Sequence, residues 1–224
     1  MSVVRCLLSK MLMRRILNTL LLLVITSICA EARTPIRNWL VSMPDSVMPL
    51  LTKNNRLDFI DFYDAKMEAV VTNRLEGKSR MDMLTDDFVH FGYTKSSEVT
   101  MKLLPVNDST DILCMVTTAR AAVGDSRIAF YDDQWHPLDA VSYIHEPCIE
   151  DFRSTLQSDS AQWAWSKMDI FFRTYQLSAE STELKCVFTA TEYLSKEDRE
   201  EMAPYVRQEP LIYRWINNAF QLNE

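Results

Sequence analysis

The side chains best suited to chemistry lie together in one polar stretch of the chain. Carboxylates, two histidines and a cysteine fall within 17 residues there: Asp132, Asp133, His136, His145, Glu146 and Cys148. Such groups bind divalent metals or transfer protons. Their spacing matches no metal motif, because no two histidines are four residues apart and H-E-x-x-H is absent. Asp132, His136, His145 and Cys148 are therefore candidate polar site residues, with a solvated connector as the alternative, and we expect no bound metal.

Nucleophilic catalysis would need an activated cysteine or serine. Cys114 and Cys186 stand in apolar, strand-like runs, where a thiol behaves as a small hydrophobic side chain and its pKa rises. Facing strands could instead join these two cysteines in a disulfide. Cys148 has Glu146 and Glu150 nearby but no cation in the local sequence, and the chain contains no G-x-S-x-G motif. We assign no catalytic residue.

Four aromatic side chains are candidates for a ligand-binding surface. Trp163 and Trp165 precede an apolar segment, and Tyr213 and Trp215 are two apart on a predicted strand, so they share one face. The alternative is that these rings fill the core, since aromatic side chains bury large areas.

Composition excludes several classes of function. The chain has 224 residues and a formal net charge of −7, so it offers no basic surface for nucleic acid. Its three glycines, Gly77, Gly92 and Gly124, are too far apart for a P-loop or a dinucleotide-binding motif. We therefore expect no nucleotide or other cofactor.

Residues 1–32 are typical of a secretory signal peptide. Basic residues precede an apolar run at 16–28, and Ala30-Glu31-Ala32 fits the small-x-small cleavage pattern. The run is short for a transmembrane anchor, which needs about 20 apolar residues. We predict export to the periplasm or cell surface of a Gram-negative bacterium, with no transmembrane span after cleavage. Residues 33–224 would then carry 20 basic and 30 acidic side chains, a net charge of −10.

The rest of the chain predicts a single α+β domain over residues 33–224. A helical region is expected over 43–66 in two pieces, the first opened by Pro44 and the break made by Asn54-Asn55. Short, turn-bounded, β-rich segments follow, which favours antiparallel sheets packed against helices. A capping box at Ser195 predicts a helix that ends near Pro204.

A weak internal repeat relates two parts of this domain. Residues 109–117 align with 181–189 at four identical positions, and the flanking strands around 101–104 and 171–176 also correspond. The pattern allows two pseudo-repeats, about 43–145 and 146–224, each a helix with a β-hairpin. The alternative is a chance likeness between two amphipathic hairpins.

Five segments carry a resemblance to a known family. They are residues 57–63, 77–80, 103–110, 125–132 and 193–200. In these segments the chain resembles an uncharacterised family of secreted Bacteroidales proteins, known only as a domain of unknown function. The resemblance implies an exported protein and brings no activity, cofactor or site residue.

These observations favour a non-catalytic periplasmic or surface-associated binding module that recognises a protein, a peptide or an envelope ligand. The alternative is a hydrolase that uses dispersed carboxylates or a His136–Cys148 cluster.

Overall fold

The structure, a computed structural model, describes residues 33–156 and 158–223, and the predicted signal peptide lies outside these residues. Within them lie four α-helices: α1 Ile36–Ser42, α2 Lys53–Asp64, α3 Asp159–Ser166 and α4 Lys196–Met202. The eleven strands are β1 Val70–Thr72, β2 Lys78–Leu84, β3 Phe88–Thr94, β4 Ser97–Pro105, β5 Asp111–Arg120, β6 Gly124–Tyr131, β7 Pro137–Leu138, β8 Arg173–Leu177, β9 Glu183–Phe188, β10 Leu211–Ile216 and β11 Ala219–Leu222. The predicted α+β class with antiparallel sheets is confirmed.

The strands form two separate sheets. Strands β1 to β7 make a seven-stranded meander in chain order, and β8 to β11 make a four-stranded sheet of order β11-β10-β9-β8. All strand pairs within these sheets are antiparallel. The aligned segments of the repeat fall on β5 and β9, each the middle strand of three consecutive antiparallel strands. The segment between β9 and β10 contains α4, whereas β5 and β6 are joined by a short turn.

Helices cover one face of the seven-stranded sheet and the four-stranded sheet lies against the other. Alternation along the central strands sends Leu113 and Met115 toward α1 and α2, and Cys114 and Val116 toward the second sheet. Strands β4 and β5 are therefore buried on both faces. Helix α3 joins the second core through Trp165, so both cores contain residues from helices.

The helical region at 43–66 differs from its prediction. Helix α1 ends at Ser42, and Pro44 follows it instead of opening a helix. Helix α2 begins after Thr52, whose hydroxyl accepts a hydrogen bond from the backbone N–H of Asn55. The Asn55 side chain accepts in return from the Thr52 N–H at 3.1 Å. Thr52 is therefore the N-cap and Asn55 completes a capping box. Asn54-Asn55 thus lies in the first turn of α2, and the expected break there is wrong.

Polar contacts dock the second sheet on the first. The N–H groups of Tyr175 and Arg173 in edge strand β8 point to Ser126 Oγ at 3.1 Å and Asp125 Oδ1 at 3.4 Å. The buried Lys102 ammonium binds Asp87 at 2.9 Å and donates to the Ala179 carbonyl at 3.1 Å. These contacts cover a strand edge that would otherwise be open to pairing.

Candidate functional site

The predicted polar cluster is divided between two parts of the structure. Asp132 and His136 belong to the turn between β6 and β7, where Asp132 Oδ1 accepts from the backbone N–H groups of Gln134 at 2.9 Å and His136 at 2.8 Å. Its other oxygen lies 2.9 Å from His136 Nδ1. Desolvation works against ionisation, but the hydrogen bonds from His136 and Gln134 lower the pKa of Asp132. Asp133 is also in this turn.

This turn has a structural task. Trp135 adopts a left-handed backbone conformation, with φ of 64°, which is uncommon for a large side chain. Its ring is buried against Trp39 and Tyr131, and its Nε1–H donates to Ser42 Oγ at 3.2 Å. The Asp132 contacts therefore hold a strained turn that closes the first core.

His145 and Cys148 lie in a different segment, which is docked on the second sheet. Glu146 forms a close ion pair with Arg173 and accepts from the Tyr175 hydroxyl at 3.2 Å. The carbonyl of His145 accepts from the Tyr213 hydroxyl at 3.5 Å. Over residues 33–156 and 158–223, no three His, Cys, Asp or Glu side chains come together as metal ligands would. The predicted His136–Cys148 cluster is therefore not assembled, because its members serve two separate turns.

Cys114, Cys148 and Cys186, the cysteines of the described residues, are free thiols, so the alternative of a Cys114–Cys186 disulfide is not realised. Burial raises the pKa of Cys114 well above its usual range and that of Cys186 to about 12. Burial also raises the pKa of Tyr175 and Tyr213. At Cys148 the Glu150 N–H favours the thiolate, but desolvation and the Asp151 and Glu150 side chains outweigh it, and the pKa is raised. None of these thiols is activated as a nucleophile.

The aromatic candidates are mostly core residues. Trp165 is 7% exposed and Tyr213 is 3% exposed, and Trp215 is partly buried with its Nε1–H bound to the Pro105 carbonyl at 2.8 Å. The expected surface position does not hold for them, because the second sheet needs large rings to fill its inner face. Only Trp163 among the four is exposed, at 53%, and Lys167 covers its ring at 3.8 Å.

A cavity of about 260 Å³ lies beside the end of β9. Strand β10 begins at Leu211, opposite Cys186, so Val187 and Phe188 of β9 have no β10 neighbour. The chain between α4 and β10 diverges at Pro210 and leaves a gap there, because proline has no N–H to continue the ladder. The lining residues are Val187, Phe188, Thr191, Arg199, Ala203, Val206, Arg207, Gln208, Glu209 and Pro210.

Two arginines bring positive charge to this cavity. The Arg199 side chain is anchored by donating Nε–H to the Thr191 carbonyl at 3.2 Å and Nη2–H to the Glu192 carbonyl at 2.8 Å. Arg207 is exposed, and its side chain makes no ion pair or hydrogen bond with the described residues. Val187 and Val206 supply apolar surface and Glu209 is the acidic lining residue. A guanidinium pair beside apolar surface suits a carboxylate attached to an apolar group.

Sequence reasoning did not single out this cavity. In the sequence, Arg199 lies in the family-resemblance segment 193–200, Phe188 lies in the repeat segment 181–189, and Arg207 belongs to no motif. One sequence signal could have indicated the cavity. Pro210 stands directly before β10 and cannot extend the pairing of β10 with β9. The α4 insertion between β9 and β10 then leaves the end of β9 without a neighbouring strand.

A second depression, of about 540 Å³, lies at the β8–β9 turn and is lined mainly by polar residues such as Gln176, Glu180 and Lys185. Two acidic side chains, Glu180 and Glu183, and one basic side chain, Lys185, line it, so it has no consistent sign of charge. In the described part of the chain, no helix has the length and apolar character needed to cross a membrane.

Comparison with known proteins finds relatives whose function is not assigned. A family model described as "Protein of unknown function (DUF3256)" matches residues 28–220. A solved structure of a domain of an uncharacterized protein from Porphyromonas gingivalis W83 is similar, with 29% identity and a TM-score of 0.76. The alignment covers 86% of this chain and 99% of that one. None of the curated proteins compared with the chain matches it. The chain belongs to the DUF3256 family of proteins of unknown function.

Proposed function

We propose that this protein is an exported, non-catalytic binding module of the periplasm or cell surface, and that it binds an anionic ligand with an apolar portion. The observation that carries the proposal is the cavity at the end of β9, where Arg199 and Arg207 stand beside Val187 and Val206. The chain carries a formal net charge of −7, so two arginines that line one cavity depart locally from its overall acidic character.

The two arginines have different tasks in this proposal. The Arg199 guanidinium is held by two backbone carbonyls, at 3.2 and 2.8 Å, so binding a ligand costs it little conformational freedom. Arg207 is free to turn toward a carboxylate and to close over it. The signal-peptide pattern of residues 1–32 supports the proposed location.

The test uses residues 33–224 and a small probe, phenylacetate, which joins a carboxylate to a ring. In NMR titrations of the ¹⁵N-labelled protein we expect the amide signals of Val187 and Arg207 to shift, with a Kd on the order of millimolar for so small a ligand. The neutral analogue phenylacetamide should produce no such shift at the same concentrations.

Charge reversal supplies the control. Arg207→Glu should abolish the phenylacetate shifts, whereas Arg127→Glu should retain them. Arg127 is an exposed arginine on β6, outside the cavity, and its substitution changes the net charge equally. Shifts that survive in the Arg207 variant, or that lie elsewhere in the protein, would remove the basis of the proposal.

A further inference from the structure

The backbone of β9 is open on one side at Phe188. Antiparallel strands alternate between residue pairs that exchange hydrogen bonds and pairs that do not. The N–H groups of Tyr175 and Arg173 point away from β9, toward Ser126 and Asp125. Their partners in the register, Cys186 and Phe188, therefore direct their own N–H and C=O groups to the opposite side, toward β10.

On the side of β9 that faces β10, Cys186 has a paired residue in β10 and Phe188 has none. The register ends with Leu211 opposite Cys186, and Pro210 has no N–H to extend the ladder. Within the described residues, the N–H and C=O of Phe188 make no hydrogen bond outside the sheet ladders, and the ladder with β10 stops at Cys186. Phe188 also lines the cavity, so one donor and one acceptor of a strand backbone face the cavity.

This open position is rigid. The Phe188 ring is packed in the core against Phe152, Trp165 and Phe171, with ring centroids 5.3 to 5.9 Å apart. On its other side, β9 is paired with β8 through Val187 and Thr174. A preformed backbone donor and acceptor can bind an added strand without first being ordered, which is the way sheet edges recognise extended peptides.

We propose that the cavity binds an extended acidic peptide, one residue of which pairs with Phe188 while its carboxylate lies on Arg207 and Arg199. This inference rests on the proposed function and deepens it, because it adds a backbone requirement to the charge requirement. The apolar side chain of a neighbouring peptide residue would contact Val187 and Val206. Glu209 lines the same cavity and repels the peptide carboxylate.

The probe is the acetylated, amidated hexapeptide Val-Glu-Val-Glu-Val-Glu, whose binding to residues 33–224 is measured by isothermal titration calorimetry. Replacing its glutamates by glutamines should weaken binding at least about tenfold, as should Arg207→Glu in the protein. Arg127→Glu should stay within about twofold, and Glu209→Gln should strengthen binding about two- to threefold by removing a like charge.

Two peptide variants test the backbone contact and the source of the carboxylate. N-methylation of alternate peptide amides removes strand donors, so we expect at least about tenfold weaker binding in one of the two methylation registers. The acetylated peptide Val-Gln-Val-Gln-Val-Gln with a free C-terminal carboxylate shows whether a chain end can replace the acidic side chains. Either source is consistent with the inference if N-methylation weakens binding.

Equal affinity for both N-methylated registers and the parent peptide would overturn the strand-addition inference. So would the absence of binding by any peptide of the set. In both cases the phenylacetate titration separates the two proposals: if phenylacetate still shifts the cavity signals, the anion site stands and the peptide is wrong; if it does not, both proposals fail.

Discussion

Replacing Arg56 by methionine should be strongly destabilising, although the chain keeps a long apolar side chain there. Arg56 is 1% exposed in helix α2. Its guanidinium donates to the carbonyls of Met43 and Leu51 at 2.5 Å each and to Asp45 Oδ1 at 3.1 Å. These contacts connect Arg56 to both ends of the segment between α1 and α2. Methionine would leave these two carbonyls without their donor.

The change in the free energy of unfolding is the difference between the lost hydrogen bonds and the removed cost of a buried charge. Hydrogen bonds from a charged donor contribute roughly 1.5–3 kcal/mol each, and a carbonyl left buried without a partner costs about 1–3 kcal/mol. Against this, the variant no longer buries a charge whose Nε has no partner. Asp45 keeps its ion pair with Arg74. We expect the free energy of unfolding to fall by about 2–4 kcal/mol.

Urea unfolding of residues 33–224, followed by circular dichroism, measures this loss. The matched control is Arg37→Met, because Arg37 pairs with Asp64 at 3.0 Å but with side chains 38% and 50% exposed. That pair should contribute at most about 1 kcal/mol. If Arg56→Met loses no more stability than Arg37→Met, burial does not determine how much these contacts contribute to the free energy of unfolding, and the prediction is wrong.

Two other predictions concern packing and pH. A methyl group added by Gly124→Ala would lie 2.8 Å from Thr174 Cγ2 at the contact between the sheets, so we expect a loss of about 1–3 kcal/mol in urea unfolding. Gly92→Ala meets nothing closer than 3.9 Å and should be neutral or slightly stabilising; equal losses in the two variants would contradict the packing argument. Because burial raises the pKa of Cys114 and Cys186, their contribution to stability should be constant below pH about 8.5 and fall above it, since these thiols ionise in the unfolded chain only. At pH 9.5 each thiol should cost roughly 1 kcal/mol relative to pH 7.5. The double variant Cys114→Ala, Cys186→Ala should show a correspondingly smaller drop over that interval, and an unchanged drop would show that other groups cause it.

The strands were predictable where local sequence determines them. The apolar run at 112–118 lies in β5 and the turn at 107–109 separates β4 from β5. The cap at Ser195 also starts α4, with its Oγ accepting from the Asp198 N–H at 3.1 Å. In each case the signal lies within a few residues, so neighbours in sequence carry the information.

The division into two sheets was not predictable from the sequence. It depends on contacts between distant residues, such as Lys102 with Ala179 and Ser126 with Tyr175, 77 and 49 positions apart. The grouping of the polar residues at 132–148 into one candidate cluster has the same cause. Asp132 and His136 satisfy a local turn and Glu146 pairs with Arg173, and sequence alone does not show which partner each side chain takes.

The amide hydrogen exchange of Phe188 reports whether the end of β9 is open to a ligand. If the cavity leaves this N–H open, its exchange by NMR in the unliganded protein should be at least about tenfold faster than that of Val187, whose amide is paired with β8. Addition of the acidic hexapeptide should slow it to the rate of Val187. A Phe188 amide that is already as protected as Val187 without peptide would mean that the site is closed, and would contradict the account.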